Sequence, residues 1–211
     1  MGRAVCGRAL AGFLFMWSIT GALGCGGGDS GGDPGGSDAA PAACVTSPAP
    51  DGWQYPSGPY GVEPGETLAD IALEDCDGEP VSLGEVLGDA ELMLVSIGAG
   101  WCEPCVTESE TLEAEIYSPY CERGLRAVQI LFQDTDSQPA TRDFCRQWRE
   151  RFGLSFPVLI DPLFESERYF DDVAGQTPIN FLITRDGEIV YKATGTPAAD
   201  LPDRIDALLP R

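Results

Sequence analysis

The feature that most constrains the fold is an apolar run of strand length that leads directly into two closely spaced cysteines and a helix. The run "ELMLVSIGA" is apolar over nearly its whole length, which is typical of a strand buried on both faces of a sheet. Residues 103–120, which follow it, have a helical composition. Cys102 and Cys105 are therefore predicted where a buried strand passes into the first turn of a helix.

The order of the other segments predicts an α/β fold. "TLADIALEDCDGEPVSL" alternates apolar and polar residues around the turn signal Asp77-Gly78, which indicates a β-hairpin. Two apolar runs, "LRAVQILF" and "FPVLIDP", flank a predicted helix at 139–153. "INFLIT" and "EIVYKAT" form a second hairpin between a short helix at 163–172 and a last helix at 198–209. Because strands joined through helices run parallel, we expect one mixed sheet with helices on both faces and a hairpin at its N-terminal end.

The charge balance restricts the possible partners. The chain has 34 acidic and 13 basic residues among 211. This balance disfavours nucleic acid, which requires a positive protein surface, and fits a solvated acidic exterior. The chain has no histidine, which excludes metal sites and acid–base catalysis that depend on that residue.

Residues 1–25 are interpreted as a lipoprotein signal peptide. Arg3 and Arg8 form a basic start, and the apolar run 9–24 that follows is shorter than a membrane-spanning helix requires. The run ends in "GALGC", which resembles the lipobox of bacterial lipoproteins and predicts that Cys25 is acylated. Ordinary secretion with a free Cys25 thiol, or a retained helix, is the alternative.

Residues 26–52 are predicted to form a disordered tether. The stretch "GGGDSGGDPGGSDAAPAA" contains only Gly, Asp, Ser, Pro and Ala, so it has almost no apolar surface to bury. A folded domain is expected at 53–211. Together with the lipid, the tether would hold this domain beside a membrane whose anionic headgroups repel its acidic surface.

The cysteine count suggests an exported, disulfide-bonded protein. Of eight cysteines, Cys6 leaves with the signal peptide and Cys25 is assigned to the lipid. An even number remains, as expected for disulfides outside the cytoplasm. Besides the closely spaced pair, four cysteines are predicted to form structural disulfides: Cys44, Cys76, Cys121 and Cys145.

Three pairings of these four cysteines are possible, and we favour Cys44 with Cys76 and Cys121 with Cys145. The second pair has a topological difficulty. If consecutive crossover helices lie on opposite faces of the sheet, Cys121 and Cys145 can meet only around an edge.

The closely spaced pair has three interpretations. Cysteines at i and i+3 in a first helical turn are close enough to bond, and the helix N-terminus stabilises a thiolate there, with Cys102 the more exposed nucleophile. Pro104 suits this turn because its missing N–H costs little. A zinc site needs four ligands, and the chain has neither a second such pair nor a histidine. A structural disulfide is less favoured, because so small a loop restricts the unfolded chain little.

At these residues the chain resembles the thioredoxin superfamily. "WCEPC" after "LMLVSIGAG" is similar to the family's active site, and the resemblance covers roughly 65–211. It is strongest to the membrane-tethered extracytoplasmic redoxins of the TlpA/ResA type, which carry a hairpin before the core. It implies a thioredoxin-like three-layer sandwich and thiol–disulfide exchange without a cofactor.

The resemblance also implies roles for individual residues. Glu108 would handle protons, because Ser96 occupies the place of the buried acid of cytoplasmic thioredoxins. Thr177 and Pro178 would form the cis-proline loop that holds a partner chain, and a trans proline entering a strand is the alternative. Two further residues are assigned to the substrate site: Trp101, as a wall beside the disulfide, and Pro104.

The predicted partners are extracytoplasmic proteins that carry disulfides, with a membrane thiol reductant as electron donor. We expect a membrane-anchored monomer that acts as a reductant. Glu103 and Glu108 add negative charge beside the cysteines, and like charge disfavours the low-pKa thiolate that a strong oxidant needs.

Two other functions remain as alternatives. A peroxiredoxin would carry Thr or Ser three places before its reactive cysteine, where this chain has Ala99. Copper delivery is not among these alternatives, because copper chaperones of this fold add a histidine ligand and the chain has no histidine. A non-catalytic, disulfide-linked surface lipoprotein that serves as a binding module would use the same cysteines as structural crosslinks only.

Overall fold

The computed structural model of the protein describes residues 44, 48–170, 176–195 and 199–209. The predicted signal peptide, its cleavage and lipidation at Cys25, and most of the predicted tether lie outside these residues. Within the described ranges, no helix combines the length and the apolar character needed to cross a membrane.

Seven strands of the described residues form one sheet in the order β2-β1-β5-β4-β3-β6-β7. Their bounds are β1 Ala72–Asp75, β2 Pro80–Ser82, β3 Leu92–Gly98, β4 Leu125–Leu131, β5 Val158–Ile160, β6 Ile179–Thr184 and β7 Ile189–Thr194. The central strands β3, β4 and β5 run parallel, and the hairpins at both ends are antiparallel. The mixed sheet with an N-terminal hairpin is therefore confirmed.

Helices cover both faces of this sheet, as predicted. Their bounds are α1 Leu83–Leu87, α2 Glu103–Thr111, α3 Ser118–Tyr120, α4 Arg142–Phe152 and α5 Leu201–Leu208. A π-helical segment, Leu112–Tyr117, joins α2 to α3. Val106 of α2 packs with residues from this segment, α4 and α5 in one apolar cluster, while α1 and a 3-10 turn at Glu165–Tyr169 pack on the opposite face. Cys105, near the start of α2, is grouped with the second cluster.

Strand β3 contributes to both apolar clusters. Leu92 and Leu94 pack on the face covered by α2, whereas Met93, Val95 and Ile97 pack on the other face. All seven residues of the strand are buried. This double burial explains the nearly continuous apolar run in the sequence.

Helix α1 was missed because it is short and follows a strand directly. Its N-terminus carries a complete capping box: the Ser82 hydroxyl accepts from the Glu85 N–H, and the Glu85 carboxylate accepts from the Ser82 N–H. The sequence signal for it, serine followed three places later by glutamate, stands in "SLGE". Helix α4 is shorter than predicted, since it begins after the cap Thr141 and ends at the left-handed Gly153.

The expected pairing of the structural cysteines is wrong. Cys44 is bonded to Cys121, and Cys76 is bonded to Cys145. Cys76 directly follows β1, which pairs with β5, and α4 packs over β5. The Sγ atoms of Cys76 and Cys145 accordingly lie 3.6 and 3.4 Å from the same carbonyl oxygen, that of Val158 in β5.

The topological difficulty that we anticipated also does not arise. The chain steps from β3 to β4 to β5 in one direction across the sheet. Right-handed crossovers that step in one direction place their helices on the same face. Cys121 and Cys145 therefore lie on the same face, but Cys145 is bonded to Cys76, which follows β1.

Candidate active site

The paired cysteines lie at the carboxyl end of β3, where the chain enters α2. Cys102 is the N-cap of the helix, with the extended backbone angles φ −84° and ψ 104°. Its Sγ accepts a hydrogen bond from the N–H of Cys105 at 3.1 Å. The predicted strand-to-helix placement is thus present, and one of the free N–H groups of the first turn points at the sulfur of Cys102.

Cys102 and Cys105 form a disulfide in the structure. Both are almost fully buried, at 3% and 1% exposure. Cys102 is thus the more exposed of the two, as expected from the sequence, but the difference is small. Cys102, however, lines a surface groove of about 520 Å³, and Cys105 does not. Access from the groove therefore reaches the sulfur of Cys102 first.

The groove brings together residues from three segments of the chain: the turn into α2, the loop before β6 and the end of β7. Its lining consists of Trp101, Cys102, Glu103, Pro104, Gln176, Thr177, Thr194 and Gly195. Three of the four predicted substrate-site residues, Trp101, Pro104 and Thr177, line the groove. The fourth, Pro178, directly follows Thr177 in the chain. The peptide bond between Thr177 and Pro178 is cis, as the resemblance implied.

The loop before Pro178 contacts both sulfur atoms. The Thr177 carbonyl oxygen lies 3.4 Å from Sγ of Cys102, and the Thr177 Oγ1 lies 3.3 Å from Sγ of Cys105. The Thr177 hydroxyl donates to the carbonyl of Ile97 at 3.1 Å. A single residue thus spans the disulfide and ties it to the end of β3.

Trp101 forms one side of the groove. Its side chain is 44% exposed, and its Nε1–H donates to Oε1 of Gln133 at 2.9 Å. Its ring meets that of Phe132 edge to face, with the centroids 6.3 Å apart. A large apolar surface with one polar group is therefore held open to solvent directly beside the cysteines.

Two glycines allow the close packing around the site, and sequence reasoning missed both. A Cβ at Gly98 would lie 3.1 Å from Cβ and Sγ of Cys105. A Cβ at Gly100 would lie 2.8 Å from backbone atoms of Asp134 and Thr135, which is too close for a side chain. The signal was the sequence "GAG" directly before the tryptophan, where backbone segments can approach only if side chains are absent.

Glu108 lies one turn beyond Cys105 on the inner side of α2. It is only 4% exposed, and burial raises its pKa to about 7, while a hydrogen bond from Asn180 acts in the lowering direction. Nδ2 of Asn180 donates to Oε1 of Glu108 at 2.5 Å. A carboxyl group that titrates near neutral pH can both accept and return a proton.

A row of polar side chains crosses the sheet beneath α2. Gln129 of β4 and Asn180 of β6 are the register partners of Ser96 on either side. The amide of Gln129 donates to the hydroxyl of Ser109 at 2.8 Å, and that hydroxyl donates to the carbonyl of Cys105 at 2.8 Å. The two amides therefore hold α2 from both sides, one turn after the second cysteine.

No group of three or more metal-ligating side chains is found within the described ranges.

Residues 64–192, more than half of the chain, match the model of the AhpC/TSA family. The chain belongs to the AhpC/TSA family. Its relatives include the thiol-disulfide oxidoreductase ResA of Halalkalibacterium halodurans, 31% identical over 133 residues that span 62% of this chain and 68% of that protein. ResA of Geobacillus kaustophilus is 28% identical over 147 residues, which span 69% and 78% of the two chains.

Solved structures share the fold of this AhpC/TSA-family protein. The thioredoxin domain of a thiol-disulfide oxidoreductase from Bacteroides vulgatus superposes with a TM-score of 0.57 at 16% identity, covering 71% of this chain and all of that one. Peroxidoxin BcpB of Mycobacterium tuberculosis has a TM-score of 0.56 at 17% identity, with 70% and 96% coverage. At these identities both show the thioredoxin-like fold alone, and the chemistry depends on the site.

Proposed function

We propose that this protein is a thiol-disulfide oxidoreductase that reduces disulfides of other proteins through Cys102 and Cys105. The observation that carries this function is the placement of the pair. The disulfide begins a helix, faces a groove through Cys102 and is in contact with the cis-proline loop through Thr177. Oxidoreductases named ResA among the relatives support the same enzyme class.

The first chemical step is attack by Cys102. In the reduced protein, the Cys102 thiolate attacks one sulfur of the partner's disulfide, and the other sulfur of that disulfide leaves as a thiolate. The product is a mixed disulfide between Cys102 and the partner. The N–H of Cys105, which points at Sγ of Cys102 at 3.1 Å, stabilises negative charge on this sulfur.

The second step is resolution by Cys105. Its thiol loses a proton, and the resulting thiolate attacks Sγ of Cys102. The Cys102–Cys105 disulfide forms and the partner leaves as a thiolate, so that one disulfide is reduced and one is created. Glu108 is the group that we assign as the proton acceptor for Cys105, because it lies one turn away and titrates near neutral pH.

Trp101, Pro104 and the Thr177-Pro178 loop are assigned to binding the partner chain. All except Pro178 line the groove beside the reactive sulfur. The backbone of Thr177 lies within van der Waals contact of Cys102, so a partner chain running along this loop would present its disulfide to that sulfur. Pro178 would fix the direction of the loop.

The direction of electron flow is proposed to be reduction of the partner. Glu103 is exposed at the start of α2 and adds negative charge beside Cys102. Glu108 contributes less than we expected from the sequence, because burial raises its pKa to about 7 and leaves it only partly ionised at neutral pH. Glu103 is therefore the main charge that favours a reductant.

The cellular setting is proposed from the sequence. A signal peptide, a lipid on Cys25 and a tether would place the domain on the outer side of a membrane as a monomer. Its substrates would be extracytoplasmic proteins with disulfides, and a membrane thiol reductant would return electrons to the Cys102–Cys105 pair.

The two alternative functions are less favoured. Ala99 stands three places before Cys102, where a peroxiredoxin needs a hydroxyl. A binding module would have no need for a disulfide that opens onto a groove through one sulfur.

Insulin reduction coupled to a thiol reductant tests the proposed function. Cys102→Ser should abolish turnover, and Cys105→Ser should accumulate mixed disulfides that a non-reducing gel detects. Normal turnover by Cys105→Ser would contradict the two-cysteine mechanism, and an inactive wild-type protein with a native fold would favour the binding module.

A further inference from the structure

Three buried polar atoms beneath α2 have no hydrogen-bond partner within the described ranges: Oγ of Ser96, Oε2 of Glu108 and Oδ1 of Asn180. All three residues are almost completely inaccessible to solvent. A buried polar atom without a partner destabilises the folded state, because it has lost its hydrogen bonds to water. Such atoms are few in folded proteins, and three on neighbouring side chains indicate a common partner.

The three side chains are neighbours beneath and on α2. Ser96 and Asn180 are directly paired across β3 and β6, which places their Cβ atoms about 4.5–5.5 Å apart on one face of the sheet. That face is the one covered by α2, because the neighbouring pair Leu94 and Leu182 packs in the same cluster as the continuation of α2. The amide of Asn180 already holds the other oxygen of Glu108 at 2.5 Å.

The chemistry of the three atoms fits a single water molecule. The Glu108 carboxylate oxygen and the Asn180 amide oxygen both accept hydrogen bonds, and the Ser96 hydroxyl has a proton to donate. One water molecule donates twice and accepts at least once. It would therefore satisfy all three atoms at once, with the three partners that buried water typically has.

We propose that Ser96, Asn180 and Glu108 form a binding site for one buried water molecule, and that Asn180 with this water is the positioning unit of the Glu108 carboxylate. The water site stands on the geometry alone. The positioning role rests on the proposed function, in which Glu108 accepts the proton of Cys105. Neither Ser96 nor Asn180 touches the reacting sulfur atoms in the contacts described, so both would act through Glu108.

The surroundings of Glu108 make its proton affinity sensitive to Asn180. Among the described residues, Tyr191 on β7 is a titratable group that faces it, and the hydroxyl of Tyr191 donates to Asp200 beside Arg204. Cys105 on its own helix titrates only after the disulfide is reduced. Beneath it, β3 and β4 present only the uncharged Ser96 and Gln129. The Asn180 amide is thus the one described side chain that donates a hydrogen bond to the carboxylate.

The test follows the ¹³C signal of the Glu108 carboxyl against pH in the full-length oxidised protein, assigned by its absence in Glu108→Gln. Asn180→Leu removes the donor at similar volume and should raise the titration midpoint by about 1 pH unit or more, because a hydrogen bond to a charged group is lost. Asn180→Asp keeps the shape and should also raise it, since two carboxyls then compete for ionisation. Ser96→Ala should raise it by less.

The matched control is Ser109→Ala, a buried residue of α2 that bonds Gln129 and the Cys105 carbonyl but not Glu108. It should lower the stability and leave the midpoint in place. If the control moves the midpoint as far as the Asn180 variants, or if the folded Asn180 variants do not move it, the positioning role is overturned. Asn180→Asp serves as the second variant if Asn180→Leu does not fold.

A crystal structure of the wild-type protein tests the water directly. One ordered oxygen within about 3.2 Å of all three atoms is expected, and its absence, or direct bonding among the three side chains, would overturn the site. Insulin reduction by the same wild-type protein separates this inference from the proposed function. If the wild-type protein reduces insulin normally but lacks the water, or if the Asn180 variants do not shift the midpoint, this inference alone is refuted. If the wild-type protein is inactive but titrates as expected, the proposed function alone is refuted.

Discussion

The Thr177 Oγ1 lies 3.3 Å from Sγ of Cys105 while its proton is donated to the carbonyl of Ile97. This relationship connects the loop before the cis proline to the last residues of β3, with the disulfide between them. The hydroxyl therefore has two consequences that can be separated by experiment. One concerns the stability of the fold. The other concerns Sγ of Cys105, whose bond to Cys102 breaks and forms again in each catalytic cycle.

Thr177→Val should lower the free energy of unfolding by about 0.5–1.5 kcal/mol, because the Ile97 carbonyl loses a buried hydrogen bond while the shape of the side chain is kept. Urea denaturation of the oxidised protein measures this change. Insulin reduction should slow but remain, since both cysteines and the Thr177 backbone are unchanged. A complete loss of activity in a stably folded variant would mean that the hydroxyl takes part in the chemistry.

The Cys76–Cys145 disulfide should contribute about 2–4 kcal/mol to stability, because it closes a loop with a sequence separation of 69 residues between two fully buried positions. The double variant Cys76→Ala/Cys145→Ala should show this loss in urea denaturation. Peptide mass mapping of the unreduced wild-type protein should recover Cys76 linked to Cys145 and Cys44 linked to Cys121. Recovery of Cys121 linked to Cys145 would contradict the structure and restore the pairing suggested by the sequence.

Glu103 should hold the reduction potential of the active-site pair low. Replacement by glutamine removes one exposed charge beside Cys102, which is worth roughly 10–20 mV toward a more oxidising pair. Equilibration with glutathione buffers measures the potential, and Glu110→Gln, an exposed charge on the same helix, is the control. The wild-type potential should lie nearer to about −270 mV than to about −120 mV, and a value above about −150 mV would make the protein an oxidant.

Anchoring at Cys25 is a prediction from the sequence. In cells that express Cys25→Ala, the protein should be released in soluble form or remain as the uncleaved precursor. Membrane fractionation with metabolic labelling by a fatty acid would detect either result. Unchanged processing and membrane retention of the variant would exclude lipidation at this cysteine.

The sequence predicted the strands and the reactive turn because these depend on local patterns. The buried run that ends at Gly98 and the helix-start position of Pro104 are visible within a few residues. The disulfide pairing was not predictable in the same way, because it depends on β1 lying beside β5, which are more than 80 residues apart along the chain. A contact of this kind follows from the sheet order and leaves no local pattern.

The polar row beneath α2 was missed for a related reason. Asn180 lies in "INFLIT", where it interrupts an apolar strand by a single residue. Its role depends on Glu108, 72 positions away along the chain, and on the cross-strand position of Ser96. An amide within an apolar predicted strand was the available signal, since such a group requires a partner when it is buried.

Glu108 should make the protein less stable as the pH rises from about 4.5 to about 7. Burial raises its folded-state pKa from 4.5 to about 7, so over this range the native state holds a proton that the unfolded chain has released. Stability then falls with increasing pH, and the contribution of this group amounts to roughly 3 kcal/mol over the full range. Below pH 4.5 both states are protonated, and the penalty disappears.

Glu108→Gln should remove this dependence, because a glutamine of similar shape stays neutral at every pH. The difference in unfolding free energy between the variant and the wild-type protein should therefore grow in favour of the variant between pH 4.5 and pH 7.5. Urea denaturation at the two pH values measures it, with the exposed Glu110→Gln as the control that should leave the wild-type slope in place. The same variant should reduce insulin more slowly, since Cys105 loses its proton acceptor. Equal pH dependence in wild type and Glu108→Gln would show that the Glu108 carboxyl is ionised in the folded protein and would remove it from the proposed proton transfer.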